Sequence, residues 1–386
     1  MSTAEKTLKA GTENKVHEPL VRIVKRAAMP FWQSWLIRIA GVVAALIAAG
    51  FITYFLTGKN PLAVYTEMIS SSFGSPRRIW NLLYDLAMLL CVSLAVTPAF
   101  KMRFWNIGAE GQVLAGGLAA AICMMFLTKY VEAGQLKNWV LIVIICVASI
   151  AAGALWGLIP AVFKAFWNTN ETLFTLMMNY IAIQIASYYA LVMSGPNGSG
   201  SIGIINQNSH IGWLPTIGNN DKLLTVIVVL VLTGILFVYL KFSKHGYEIA
   251  VVGESEKTAK YIGVNVKKVI LRTMILSGAI CGLAGLLLVA GMDHSITSGT
   301  AGGRGFTAIM VSWLAKFNPL LMILTSFILV FLQNGASDLS MNLGLNESYS
   351  DIVSGIIIFF IIGSEFFINY RIIFRRAEKK EVEEKK

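Results

Sequence analysis

Asn138-Trp-Val-Leu-Ile-Val-Ile-Ile-Cys-Val-Ala-Ser-Ile-Ala-Ala-Gly-Ala-Leu-Trp-Gly-Leu-Ile-Pro-Ala-Val-Phe163 contains no charged residue. A helix needs about 20 apolar residues to cross a hydrocarbon core about 30 Å thick, and this stretch is long enough. It is also apolar all round, whereas a helix on the surface of a soluble domain keeps a polar face. Comparable runs lie at 36–57, 79–100, 108–128, 172–193, 223–242, 269–291, 305–315, 319–334 and 349–369, the eighth and ninth in chain order being short. The reading is an all-α polytopic membrane protein with about ten transmembrane helices. Composition agrees: over 386 residues, 56% are hydrophobic, 14% are charged and the mean hydropathy is +0.66. Soluble domains carry about 25% charged residues, so this chain has too few to coat a water-facing shell.

The formal net charge of +11 raises the question of nucleic acid, and the placement of the charges answers it. They gather in the tails and in short loops between apolar runs, the pattern that sets membrane orientation. With ten spans and a cytoplasmic N-terminus, 25 of the 32 Lys and Arg residues fall inside and 7 outside. Nine spans would put the basic tail from Arg371 outside, against the same rule. Both termini are therefore expected in the cytoplasm, with a cytoplasmic segment 1–35, a transmembrane domain 36–370 and a charged tail 371–386. The run 36–57 is too long and too far from the start for a cleaved signal peptide. Ten spans divide into two halves, 36–193 and 223–369. An odd number in each gives them opposite topology, as in inverted-repeat transporters. Gly108-Ala-Glu-Gly111 and Gly302-Gly-Arg-Gly305, opening the third and eighth runs, form a faint echo between the halves.

Catalytic signatures are missing. No G-x-x-x-x-G-K-[ST] loop occurs, so ATP hydrolysis is not expected of this chain. His17, His210, His245 and His294 are scattered, and Ser199 has no base partner in the sequence. Cys91, Cys123, Cys146 and Cys281 are isolated within apolar runs, without metal-ligand spacing. Asp85 lies near the outer end of the second span, where capping weighs as much as function. No row of acids suited to proton relay is present.

Three polar clusters remain. Asn106-Ile-Gly-Ala-Glu-Gly-Gln112 enters the third span, with glycines that permit irregular backbone and Glu110 favoured near a helix start. It reads either as a broken helix lining a cavity or as an interfacial cap. Thr175 and Asn179, four apart, share a face within the fifth run, facing a solute path or bonding helices together. The longest cytoplasmic loop, 241–268, contains a short amphipathic stretch around Ala250-Val-Val252 and Glu254, at which an external motor could push.

These residues resemble a known family, the membrane permeases of ABC importers of the branched-chain amino acid, ribose and simple-sugar class. The likeness rests on Phe104-Trp-Asn-Ile-Gly-Ala-Glu-Gly-Gln112, Asn170-Glu-Thr-Leu-Phe-Thr-Leu-Met-Met-Asn-Tyr180, the Gly246–Gly263 loop, Ser277-Gly-Ala-Ile-Cys-Gly-Leu-Ala-Gly285 and Gly303-Arg-Gly-Phe-Thr-Ala-Ile309. It covers roughly residues 60–370, and its first two motifs are most similar to the nucleoside-importing branch. Lys101-Met-Arg103 and Met177-Met178 depart from the pattern.

The resemblance implies a cytosolic ABC ATPase carrying ATP and Mg, a second homologous permease in a heterodimer, and an extracellular solute-binding lipoprotein. It implies a prokaryotic cytoplasmic membrane, a neutral polar small-molecule cargo and no nucleic acid. It places ATPase coupling at Glu248, Gly253, Glu254, Ala259 and Gly263, and offers Asn106, Glu110, Gln112, Thr175 and Asn179 as pathway residues. The expected function is nucleoside import. A simple sugar such as ribose or galactose is the alternative within the same mechanism, and an ion-coupled secondary transporter is the alternative outside it.

Overall fold

The computed structural model describes residues 21–26, 29–58, 60, 65, 66, 69, 70, 72–194, 202–218, 220–342 and 347–374. Helices α1 (Phe31–Thr57), α2 (Pro76–Lys101), α3 (Ala109–Glu132), α4 (Asn138–Trp167), α5 (Glu171–Ser194) and α6 (Leu223–Phe242) come first. Two short helices follow, α7 (Lys244–Glu254) and α8 (Glu256–Tyr261). The series ends with α9 (Val266–Leu288), α10 (Arg304–Leu314), α11 (Pro319–Asn342) and α12 (Glu347–Asn369). Each of the ten apolar runs falls on a helix. Among the described residues, eight helices are long and apolar enough to cross a membrane, and the protein is an all-α polytopic membrane protein.

Run 305–315 departs from a full span. At 11 residues α10 measures about 16 Å, roughly half a hydrocarbon core. Left-handed backbone bounds it at both ends, at Gly302 and Gly303 before it and at Lys316 and Phe317 after it. Local chemistry sets the other boundaries. Ser75 caps α2 ahead of Pro76, and Asn168 closes α4 with a left-handed φ of 52°. α9 ends in a π-turn, Val289–Asp293, before left-handed His294. The runs 1–20 and 375–386 lie outside the described residues.

The chain forms two compact units. The first contains residues 1–56 and 355–386. In it, strand β1 (Val21–Lys25) pairs antiparallel with β2 (Tyr370–Phe374), Val21 opposite Phe374 and Lys25 opposite Tyr370. Arg38 Nε meets Glu365 Oε1 at 2.6 Å, tying α1 to the end of α12. The second unit, residues 57–354, holds the remaining spans.

Within that unit α2 and α9 are central. Every residue of α2 from Ala87 to Phe100 is buried, as are the last five of α9. Glycines bring α3 and α4 onto α9. A Cβ on Gly153 would sit 2.6 Å from the Cα of Gly282, and one on Gly116 would sit 2.5 Å from the same atom. Helices without a solvent-driven hydrophobic term associate by such close backbone packing. The pairs Gly153/Gly157 and Gly278/Gly282 thus face each other.

Candidate functional site

The polar residues of the spans converge where two helices begin inside the protein. After α2, left-handed Arg103 (φ 61°) reverses the chain, and Phe104 N donates to Ala99 O at 2.9 Å. The residues from Phe104 to Gly108 are non-helical, with Phe104, Asn106 and Gly108 buried. Irregular backbone away from water must find partners in the protein. Asn179 of α5 supplies two: its Nδ2 donates to Ile107 O, and its Oδ1 accepts from Gly111 N, both at 2.8 Å. Thr175 Oγ1 accepts from Ile107 N at 3.2 Å, and Asn106 Oδ1 accepts from Gly108 N at 3.0 Å. Asn106 and Gln112 bond through their side-chain amides, and Asn106 Nδ2 reaches Ser277 Oγ of α9 at 3.2 Å. A Cβ on Gly111 would lie 3.0 Å from Asn179 Oδ1, so a glycine there lets α5 come close.

Glu110 completes the cluster. Its Oε1 accepts from Gly303 N and its Oε2 from Gly305 N, each at 2.7 Å. The carboxylate therefore caps the start of α10 while standing in the first turn of α3, and both helix N-termini favour its charge. A Cβ on Gly305 would approach Glu110 N to 2.6 Å. The two glycine-rich segments that echo each other in sequence are in contact in space. α10 is tied onward to α2 through Thr97 and Ser312, whose hydroxyls meet at 2.7 Å.

All five residues named for the pathway are thus buried in one place and bonded to protein. In this conformation they hold two interrupted helices together. Sequence reasoning missed the partners that complete the network. Ser277 and Arg304 enter the sequence reading as members of the resemblance motifs 277–285 and 303–309, without their partners. Arg304 lies 3.5 Å from Asp85, whose other oxygen accepts from Asn334 Nδ2 at 3.0 Å. The polar heptad-like spacing of Asn81, Asp85 and Arg78 along α2 was a usable signal for this second cluster.

At the loop joining α6 to α9, serine caps fold two helices where one was expected. Ser243 accepts from Gly246 N at 3.0 Å and Ser255 from Thr258 N at 3.2 Å, while Asn265 caps α9. Glu248 pairs with Arg272 at 2.9 Å. Gly253 faces the Lys101 carbonyl with no room for a Cβ, Ala259 is fully buried, and Gly263 turns the chain at φ 82°. Glu254 is exposed, as are Tyr247, Tyr261 and Ile262. Four of the five coupling candidates build the loop, and the fifth lies on its surface.

At the opposite end of α9, His210, Trp213 and His294 stack. The Trp213 ring lies 4.2 Å from that of His210 and 3.5 Å from that of His294. Ile205 N donates to His294 O at 2.7 Å, and Leu214 N to Ala290 O at 2.9 Å, so the π-turn receives the 205–214 loop. Burial pushes the His294 imidazole below its ordinary value, with His210 acting the same way. The scattered histidines gave no hint of this sandwich.

Spanning helices interrupted around buried amides, with a folded loop presented at one end, define a membrane transport subunit. Residues 78–362 match the family described as the branched-chain amino acid transport system permease component, and the chain belongs to that family. It is an ABC transporter permease. The glucose ABC transporter permease protein TsgB13 of Haloferax volcanii is 27% identical, over 90% of this chain and 92% of that protein. The guanosine ABC transporter permease protein NupP of Bacillus subtilis is 29% identical, over 82% and 90%. The nucleoside ABC transporter permease protein NupB of Lactococcus lactis is 27% identical, over 81% and 86%.

Proposed function

We propose that this chain is the membrane permease of an ATP-driven importer whose cargo is a nucleoside. The observation that carries the reading is its similarity, over most of its length, to the guanosine permease NupP and the nucleoside permease NupB. The polar inventory agrees. Apart from Glu110, whose carboxylate is taken up by the α10 amides, the central cluster is made of Asn, Gln, Ser and Thr, groups suited to a neutral, hydroxyl- and amide-bearing solute. ATP and Mg reside on a cytosolic ATPase, which docks on the α7–α8 loop. A second related permease and an extracellular binding lipoprotein complete the importer, with both termini of this chain in the cytoplasm. In this reading, rocking of the halves 36–193 and 223–369 against each other about α3 and α10 would expose the path to each side in turn.

A second reading, a simple sugar as cargo, is favoured by the similarity to the glucose permease TsgB13. Uptake of labelled purine and pyrimidine nucleosides, and separately of glucose and ribose, in cells with and without the gene distinguishes them. Loss of nucleoside uptake alone on deletion is expected. Nucleoside uptake unchanged by deletion, in cells lacking other routes, would overturn the proposal.

A further inference from the structure

A polar cavity of about 210 Å³ lies between α2 and α11, lined by none of the residues of the cluster around Glu110. Its lining includes Arg78, Asn81 and Asp85 of α2 and Asn334, Ser337 and Asp338 of α11. On α2 the lining residues Asn81 and Asp85 are four apart. On α11, Asn334 and Asp338 are likewise four apart, so each helix turns a polar face into the same space. Both faces sit at the ends of spans that are otherwise apolar. Asp85 is held by Arg304 and Asn334, whereas Asp338 has no hydrogen-bond or ion-pair partner among the described residues.

Charge and size together select the ligand. Two carboxylates accept hydrogen bonds from hydroxyl donors, whereas on the donor side Arg78 Nη1 already bonds Ser70 O, Asn334 Nδ2 bonds Asp85, and Asn81 Oδ1 accepts from Lys222 Nζ. A carboxylate with two oxygens matches a pair of neighbouring hydroxyls, and hydrogen bonds to a charged partner are the strong ones. The opposed charges leave no strong excess to attract an ion. The volume falls below the roughly 300 Å³ at which sites for drug-sized molecules begin, so it suits one sugar ring and not a ring with its base. We infer that this cavity is a subsite for the vicinal diol of a pentose ring, with Asp338 as the free acceptor for the two hydroxyls. Asp85 holds Arg304, the first residue of α10, so a ring seated on Asp85 bears on the helix that Glu110 caps at the same end.

The inference rests on the import reading above and deepens it by naming the part of the cargo that is read. The test is uptake in cells carrying the complete importer, comparing ribonucleosides, their 2′-deoxy counterparts and free ribose. The wild type should take up a 2′-deoxynucleoside about tenfold less well than its ribonucleoside, the cost of one hydrogen bond to a charged group. Asp338→Asn, which keeps the shape, should bring ribonucleoside uptake down to about the deoxy level and lower deoxy uptake less, because only the 3′-hydroxyl of the deoxy sugar is left for Asp338 to hold. Asn334→Ala should weaken both. Saturable ribose uptake with the same Asp338 dependence would also support a diol subsite, and would place the sugar itself among the cargoes. Equal handling of ribo and deoxy cargo by wild type and Asp338→Asn would overturn the subsite and leave nucleoside import standing. Absence of all nucleoside and ribose uptake would instead defeat the import reading.

Discussion

Glu110 shows what a single side chain contributes when backbone is interrupted within a membrane. Its two oxygens each accept a hydrogen bond from an amide at the start of α10, and no other side chain among the described residues caps that helix. Hydrogen bonds to charged groups contribute about 1.5–3 kcal/mol in water-soluble proteins, and bonds between membrane helices average nearer 0.6 kcal/mol. Glu110→Ala should therefore lower stability by roughly 1–3 kcal/mol. Glu110→Gln, retaining one acceptor, should lose less, and Glu110→Asp, one methylene short, should behave like alanine. Thermal melting of the purified chain in detergent reads all three, and an alanine variant melting with the wild type would contradict the capping role. The value of Glu110 near a helix start was legible from its sequence position. Its partner was not, because Gly303 lies 193 residues away. Asn106, Gln112, Thr175 and Asn179 were legible as a set for the same reason, being polar within apolar runs. What they bond could come only from the fold.

The elements divide between those whose boundaries are written locally and those fixed by packing. α4 could be read outright, since nothing charged interrupts it. α10 was legible to within one residue as the short run 305–315, but the left-handed turns that bound it, at Gly302 and Gly303 and at Lys316 and Phe317, were not, two of them falling at non-glycine residues. The glycines of α9 belong to the second kind. Gly282 faces the Ser149 carbonyl and lies 3.1 Å, measured from an added Cβ, from the Cα of Ile150. Gly282→Val should separate α4 from α9 and sharply reduce the folded yield in membranes, whereas valine at Gly234, which meets open space, should not. Equal yields of the two would remove the case for glycine-mediated packing. The loop over the π-turn carries a pH prediction. Burial holds the folded-state His294 below its ordinary value of 6.5, so the unfolded chain binds a proton more readily. The contribution is fully present above pH 6.5 and is lost as pH falls through the lower folded value. The wild type should lose melting temperature on acidification below that point, and His294→Gln should lose less. Parallel pH profiles would exclude His294 as the cause.

At the scale of the whole molecule, the question is how a push from outside the spans would reach them. The α7–α8 loop answers structurally: it is clamped to the spanning helices at several points. Glu248 reaches Arg272 of α9, Gly253 sits under the Lys101 carbonyl, and Lys101 Nζ donates to Leu240 O at 3.3 Å. A displacement of the loop is therefore passed directly to α2, α6 and α9, and through α2 to α10. Exposed Glu254, Tyr247 and Tyr261 are free to meet an ATPase, whereas Gly253 has no room for a larger side chain. Substitutions on the two faces should separate docking from folding. Glu254→Lys reverses an exposed charge, so it should leave melting unchanged within about 0.5 kcal/mol while weakening association with the ATPase and slowing ATP-driven uptake. Gly253→Val must push α7 away from Lys101, so it should lower stability and uptake together. Copurification of the ATPase, measured beside uptake and melting, makes the comparison. If Glu254→Lys retains full ATPase association and uptake, the exposed face of the loop is not where the motor docks. If it loses stability as Gly253→Val does, Glu254 belongs to the framework and not to the docking face.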